Sequence, residues 1–184
     1  MNALEKAIIF AVKAHEGQLR KDGSPFILHP LEVAVNAGRI TDDIDVMAAA
    51  VLHDTVEDTD VTAQDILENF GENIAAIVAG ETENKRPEIS ASESWKIRKE
   101  ESLRELKDSD IKVKQLWLAD KLANMRALYS DYDRIGNLVF ARFNEKDPKE
   151  QRWYHETVLK YISELSYTEA YEEYMELFKK VFGE

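Results

Sequence analysis

Apolar residues in this chain recur at helical intervals and nowhere alternate. Between Ala3 and Glu16 they fall at Leu4, Ala7, Ile8, Ala11 and Val12, the i, i+3, i+4 spacing of a helix packed on one side. No stretch carries the apolar-polar alternation of a half-buried strand, and there is no internal repeat or low-complexity run. Helices patterned this way bury their apolar stripes against one another, so the expected fold is an all-α bundle of about ten helices. At 184 residues the chain fits one domain over residues 1–184, with a core that needs no staples and no room for a second catalytic domain.

Local signals divide the chain. Gly17 ends the first helix, and a basic loop from Gln18 to His29 follows, carrying Arg20, Lys21, Asp22, Gly23, Ser24 and Pro25. This loop is either a solvated connector or the first place a phosphate can be held. Pro30 suits the first turn of a helix running to about Ile40, which sets His29 at its N-terminal boundary. Thr41, Asp42 and Asp43 cap the next helix, which is expected to run on through Ala48 to Thr59. Thr62 caps a helix to Phe70 that Gly71 stops, and Asn73 to Thr82 forms another. A polar break from Glu83 to Ile89 reads as a flap. Ser90 with Glu93 makes a capping box for a helix bearing Trp95, Lys96, Arg98 and Lys99, a second basic cluster that is either a charged face or a phosphate contact. A long helix starts at Asp110. Three more are expected at Asp133 to Phe143, Lys149 to Leu165, and Thr168 to Phe182, the last capped by Ser166 and Glu169. Trp153, Tyr161, Leu165, Tyr171, Tyr174 and Phe178 supply core and packing surface there, with His155 structural.

The stretch AAAVLHDTVEDT, Ala48 to Thr59, turns from core into chemistry. His53 and Glu57 are four apart, as are Asp54 and Asp58, so in one helix all four heads share a face. Three acids this close to an apolar run repel one another and lose water unless something positive sits among them. A divalent metal is one reading; a solvated helix end with a core histidine is the other. Asp120 raises the same question, because it sits among Leu116, Leu118, Ala119, Leu122 and Met125, where a carboxylate needs a hydrogen bond or a cation. It is a metal ligand, or a ligand's support, or half of a structural ion pair. Asn124 lies one turn further along. Since the chain has no cysteine, disulfides, thiolate-bound zinc and thiol nucleophiles are excluded, and a metal must use histidine and carboxylate.

Charge narrows the partners. A net charge of -12 argues against nonspecific binding to nucleic acid and offers no cationic face to a membrane. The N-terminus, MNALEKAIIFAVKAH, carries Glu5 and Lys6 and is unlike a signal peptide, and no apolar run reaches membrane-spanning length. A cytoplasmic protein is expected, and a homo-oligomer is compatible with the sequence. The run DTDVTAQD lacks the central glycine and terminal glutamate of a calcium loop.

The order His29, His53-Asp54, Asp120 resembles the HD-domain metal-dependent phosphohydrolases. Three longer words are more specific: AHEGQLRKDGSPFILHPLEVA (Ala14 to Ala34), AAVLHDTVEDT (Ala49 to Thr59) and LADKLANMRAL (Leu118 to Leu128). In order and spacing they resemble the hydrolase domain of the RelA/SpoT alarmone enzymes, most closely the stand-alone small alarmone hydrolases. The similarity runs from Leu4 to Leu128 and fades in the last three helices. It implies a single Mn2+ held by His29, His53, Asp54 and Asp120, with Glu57 and Asp58 as the paired acids beside it. It also implies base and phosphate contacts from Arg20 and Lys21, a further phosphate contact from Lys99 beside Arg98, and a substrate-facing Asn124. Two positions depart from the pattern. Ala127 stands where many members have Thr, and Gly80-Glu81-Thr82-Glu83 stands where they read Gly-Val-Thr-Lys. Both bear on base preference more than on chemistry.

The resemblance thus implies hydrolysis of ppGpp or pppGpp to GDP or GTP and pyrophosphate, by direct attack of water with no covalent intermediate. Two imidazoles and two carboxylates form a mixed N/O site with open positions, which suits manganese. A small nucleotide is the expected partner. Two rivals are carried forward: an HD phosphohydrolase acting on ppApp or on the 2′-phosphate of NADPH, and a nucleotide sensor that has lost turnover.

Overall fold

In the computed structural model residues 1–20 and 22–183 are described. α1 (Ala3–Ala14) starts at a capping box in which Asn2 and Glu5 exchange side chain and backbone bonds. α2 (Leu28–Ile40), α3 (Ile44–Leu52), the short α4 (Thr55–Asp58), α5 (Ala63–Ala79), α6 (Trp95–Asp108) and α7 (Ile111–Ile135) follow. A 3-10 helix (Gly136–Arg142), α8 (Pro148–Tyr161), a second 3-10 turn (Ser163–Leu165) and α9 (Glu169–Phe182) complete the chain. Among the described residues the only extended pairing is a single bridge between Leu19 and Pro25. The fold is all-α, as the periodicity requires.

α3 is the centre. Val46 and the run Ala48, Ala49, Ala50, Val51, Leu52 have no exposed surface, and the three alanines let α1, α2, α5 and α7 approach from all sides. α7 packs on α2 and α9 and buries most of the stretch from Val113 to Ala123. Two polar ties fix α2 on α7. The fully buried Asn36 donates its amide to the Ala119 carbonyl at 3.0 Å, and its side-chain oxygen accepts from Arg126 at 2.9 Å. Arg126 also grips Glu173 on α9 with two bonds of 2.6 and 2.7 Å.

Several boundaries differ from expectation. The run from Ala48 to Thr59 is not one helix. It turns at His53 and Asp54, because the His53 Nδ1–H donates to the Ala50 carbonyl and the Thr55 hydroxyl to the Leu52 carbonyl, taking acceptors that a continuing helix would use. Gly71, with φ of 83°, kinks α5 where the first of two helices was expected to stop. α6 begins at Trp95 and not at Ser90, which bonds Glu93 in a preceding turn. α7 absorbs the start of the expected Asp133 helix, and Gly136 at φ of 57° converts the rest to 3-10. α8 stops at Tyr161. Thr168, and not Ser166, caps α9 by accepting the Tyr171 N–H.

Candidate metal centre

Four side chains from three parts of the core meet at one point. His29 stands in the first turn of α2, His53 and Asp54 at the bend after α3, and Asp120 midway along α7. His29 Nε2 is 3.1 Å from Asp120 Oδ1 and 3.5 Å from Asp54 Oδ2. His53 Nε2 is 3.2 Å from Asp54 Oδ2 and 3.5 Å from Asp120 Oδ1. The bend is what lets neighbouring residues His53 and Asp54 both turn inward.

The tautomer of His53 tests whether a cation fits. Its Nδ1 is committed to the Ala50 carbonyl at 2.8 Å, so as a neutral ring it presents a lone pair at Nε2. That nitrogen belongs to a residue 1% exposed and has no hydrogen-bond partner. An acceptor facing two carboxylates calls for shared positive charge. Burial pulls the His53 pKa down, but the charges of Asp54 and Asp120 outweigh it and hold it well above its ordinary value. Burial likewise raises Asp54, yet His53 keeps its carboxyl below the usual range. Against the same burial, Lys121 and the two imidazoles hold Asp120 well below it. The cage therefore favours a positive charge at its middle. His29, His53 and Asp120 offer ligand atoms within 4.8 Å of one another, a donor set that fits a first-row divalent ion.

Glu57 and Asp58 form a separate pair one turn on. Glu57 accepts the Glu83 backbone N–H and is 14% exposed. Burial, and next Glu81, push its pKa up to about 7, against the pull of the Glu83 N–H and Lys85. Asp58 is bonded by the Lys85 ammonium, which lies 3.8 Å from Glu57 Oε2. Gln18 donates to the Asp58 carbonyl at 2.6 Å and so ties the basic loop to the acids.

The expected substrate contacts are distributed differently. Arg20 is half-buried in that loop, its backbone bonded to Ser24 and Gly23. Lys21 lies outside the described residues. Lys99 is joined to the site through Glu83, whose carboxylate it meets at 3.0 Å and which also binds Arg98. Asn124 donates to Asp120 Oδ1 at 2.8 Å, so its amide steadies a member of the cage.

Residues 7–148 match the HD domain family. The chain belongs to that family. It is 37% identical over 126 residues to the guanosine-3′,5′-bis(diphosphate) 3′-pyrophosphohydrolase of Aquifex aeolicus, covering 68% of this chain and 18% of that protein. It is 38% identical over 131 residues to a GTP pyrophosphokinase of Myxococcus xanthus, covering 70% and 17%. The chain spans less than a fifth of the length of these curated relatives. Among solved structures, a metazoan ortholog of SpoT that hydrolyzes ppGpp superposes with a TM-score of 0.77 at 22% identity, covering 97% of this chain and 95% of the other. A Listeria monocytogenes protein gives 0.73 at 31%, covering 85% and 99%.

Two charged residues of this HD domain escaped the sequence reading of its site. Lys121 bonds Asp120 Oδ2 at 2.5 Å and Glu81 Oε1 at 3.0 Å, and both partners are buried. Burial lowers the Lys121 pKa, but Asp120, Tyr154 and Glu81 together outweigh it, so the ammonium is held well above its ordinary value. The available signal was a lysine set, beside Asp120, in an apolar helix; Glu81, within the polar run Gly80 to Lys85, carried none. His155 is buried against the Tyr174 hydroxyl at 2.7 Å, with its pKa pushed down by burial to about 3, and is structural.

Proposed function

We propose that this chain is a manganese-dependent hydrolase that removes pyrophosphate from the 3′ position of ppGpp or pppGpp, giving GDP or GTP. One observation carries the reading: a buried, partnerless imidazole nitrogen faces two carboxylates, next to a glutamate whose pKa lies near neutrality. The names of the Aquifex relative and of the metazoan structure support the choice of substrate.

His29, His53, Asp54 and Asp120 would hold the ion. When bound, the ion supplies Lewis-acid polarisation of a phosphoryl group and acidifies water near neutral pH. Water attacks the phosphorus joined to the ribose 3′-oxygen, the bond from that phosphorus to the 3′-oxygen breaks, and the 3′-oxygen leaves with a proton. Glu57, titrating near 7, is matched to taking the proton from the attacking water, and Asp58 beside Lys85 to orienting that water or returning a proton to the leaving oxygen. Arg20 and Lys99 bring positive charge toward the diphosphate. Asn124 holds Asp120 in place.

Product analysis by nucleotide chromatography, after incubation with ppGpp, ppApp and NADPH in manganese, tests this reading. The expected result is GDP and pyrophosphate from ppGpp, with heavy oxygen from labelled water appearing in pyrophosphate and not in GDP. Turnover of ppApp or NADPH alone would overturn the choice of substrate. Nucleotide binding without turnover would make the chain a sensor.

A further inference from the structure

Glu81 lies in the segment after α5, at a position where the chain departs from the pattern it resembles, and it is held against the cage by two neighbouring turns of α7. Trp117 Nε1 donates to the Gly80 carbonyl at 3.0 Å, and one turn on Lys121 Nζ meets Glu81 Oε1 at 3.0 Å. Gly80 is pressed so closely on α7 that a Cβ there would stand 2.7 and 2.8 Å from the Val113 methyls. The backbone that carries Glu81 is therefore fixed by packing. Its carboxylate is 8% exposed, and it forms with His53 and Asp54 a second group whose ligand atoms all lie within 4.8 Å of one another. His53, with its partnerless Nε2, belongs to both groups.

Charge points the same way. Asp54, Asp120 and Glu81 bring three carboxylates into the interior, and the Lys121 ammonium, bonded to two of them, cancels one. That leaves an excess of negative charge in a largely buried region, which a divalent cation would neutralise. Lys121 is bonded to Glu81 through Oε1, and a carboxylate, with two oxygens, can serve an ammonium and a cation together.

We infer that Glu81 is a fifth protein ligand of the ion, giving this chain a centre of two imidazoles and three carboxylates. The proposal rests on the metallohydrolase reading. A third hard oxygen donor biases such a centre toward manganese or magnesium and away from zinc.

The test is a manganese titration of the metal-free wild type, Glu81→Gln and Glu81→Asp, with free Mn2+ read by electron paramagnetic resonance and thermal midpoints recorded beside it. Glutamine keeps an oxygen for Lys121 but loses the ligand charge; aspartate keeps the charge but withdraws it by one methylene. Both should weaken Mn2+ binding by about 10- to 100-fold. The metal-free midpoint of Glu81→Gln should equal or exceed that of the wild type, since one of three crowded carboxylates is gone. Wild-type Mn2+ affinity in both variants would overturn the proposal and leave Glu81 as the counter-ion of Lys121. Failure of the wild type itself to take up Mn2+ would instead overturn the metallohydrolase reading.

Discussion

The cage and the wall beside it are built from the same residue types in opposite ways. His29, His53, Asp54 and Asp120 stand on packed helices or at the bend of one, and short side chains place their heads. Glu57 and Asp58 face residues 81–94, where long side chains reach across to one another: Lys85 to the acids, Glu83 to Arg98 and Lys99, and Arg86 to Glu101. One region sets its charges on short side chains, and the other links them through ion pairs that run from the buried Glu83–Arg98 to the exposed Lys85. An ion needs fixed distances, whereas a nucleotide that enters and leaves needs partners that can exchange.

Removing the ion should break the comparison most severely. Dialysis against excess chelator is expected to abolish turnover, with manganese restoring it. The thermal midpoint should fall as well, because an ion present at a hundredfold its dissociation constant stabilises by about 2.7 kcal/mol. Full activity in chelator would show that the cage is not a metal centre.

Glu57→Gln comes next. It is expected to keep near-normal manganese content and lose roughly 10²- to 10⁴-fold in kcat. The wild-type rate should rise with pH as Glu57 ionises, with its midpoint below 7 once a cation lies nearby, and the variant should lack that limb. Stability moves in the opposite direction. The folded state holds the Glu57 proton between the ordinary 4.5 and about 7 while the unfolded chain does not, so this group lowers stability as pH rises through that window. Denaturant melts of the variant across that range should be flatter.

Arg20→Ala should act on recognition alone, raising KM by an amount equivalent to about 1.5–3 kcal/mol. The thermal midpoint should hardly move, and an aryl phosphate without a base should be hydrolysed as before. Unchanged KM for every nucleotide would return the loop to a solvated connector. The smallest effect belongs to Lys85→Met. Lys85 is 45% exposed, so its ion pairs contribute at most about 0.5 kcal/mol after solvent screening. Since Lys85 lowers the Glu57 pKa, its loss should move the rising limb of the pH profile upward, which a pH-rate series reads directly.

Legibility followed the same division. Helical spacing gave the all-α class, and the short words around His29, His53-Asp54 and Asp120 picked out four residues that the structure brings together, because residues on regular elements leave local traces. The bend after Leu52 was hidden: two side-chain bonds to carbonyls create it, and the 3.6-residue period is blind to them. The bond from the Asn124 amide to Asp120 is likewise a choice of partner on one helix face that spacing cannot make. Lys99 and Glu83 are 16 residues apart, and Lys121 and Glu81 are 40 apart, so these pairs exist only once α5, α6 and α7 have packed. The last helices drifted at their ends because 3-10 and α turns share the same apolar spacing over so short a span.

Asn36 has a consequence for how the cage is assembled. It sits seven residues after His29, two turns along the same face of α2, and its amide is paired with the carbonyl next to Asp120. Sliding α2 along α7 by one turn, about 5.4 Å, would leave a buried amide and a buried carbonyl without partners. The crossing therefore acts as a ruler. The spacing of the His29 ring and the Asp120 carboxylate is tied to that register, so the cage is assembled by helix packing before anything enters it.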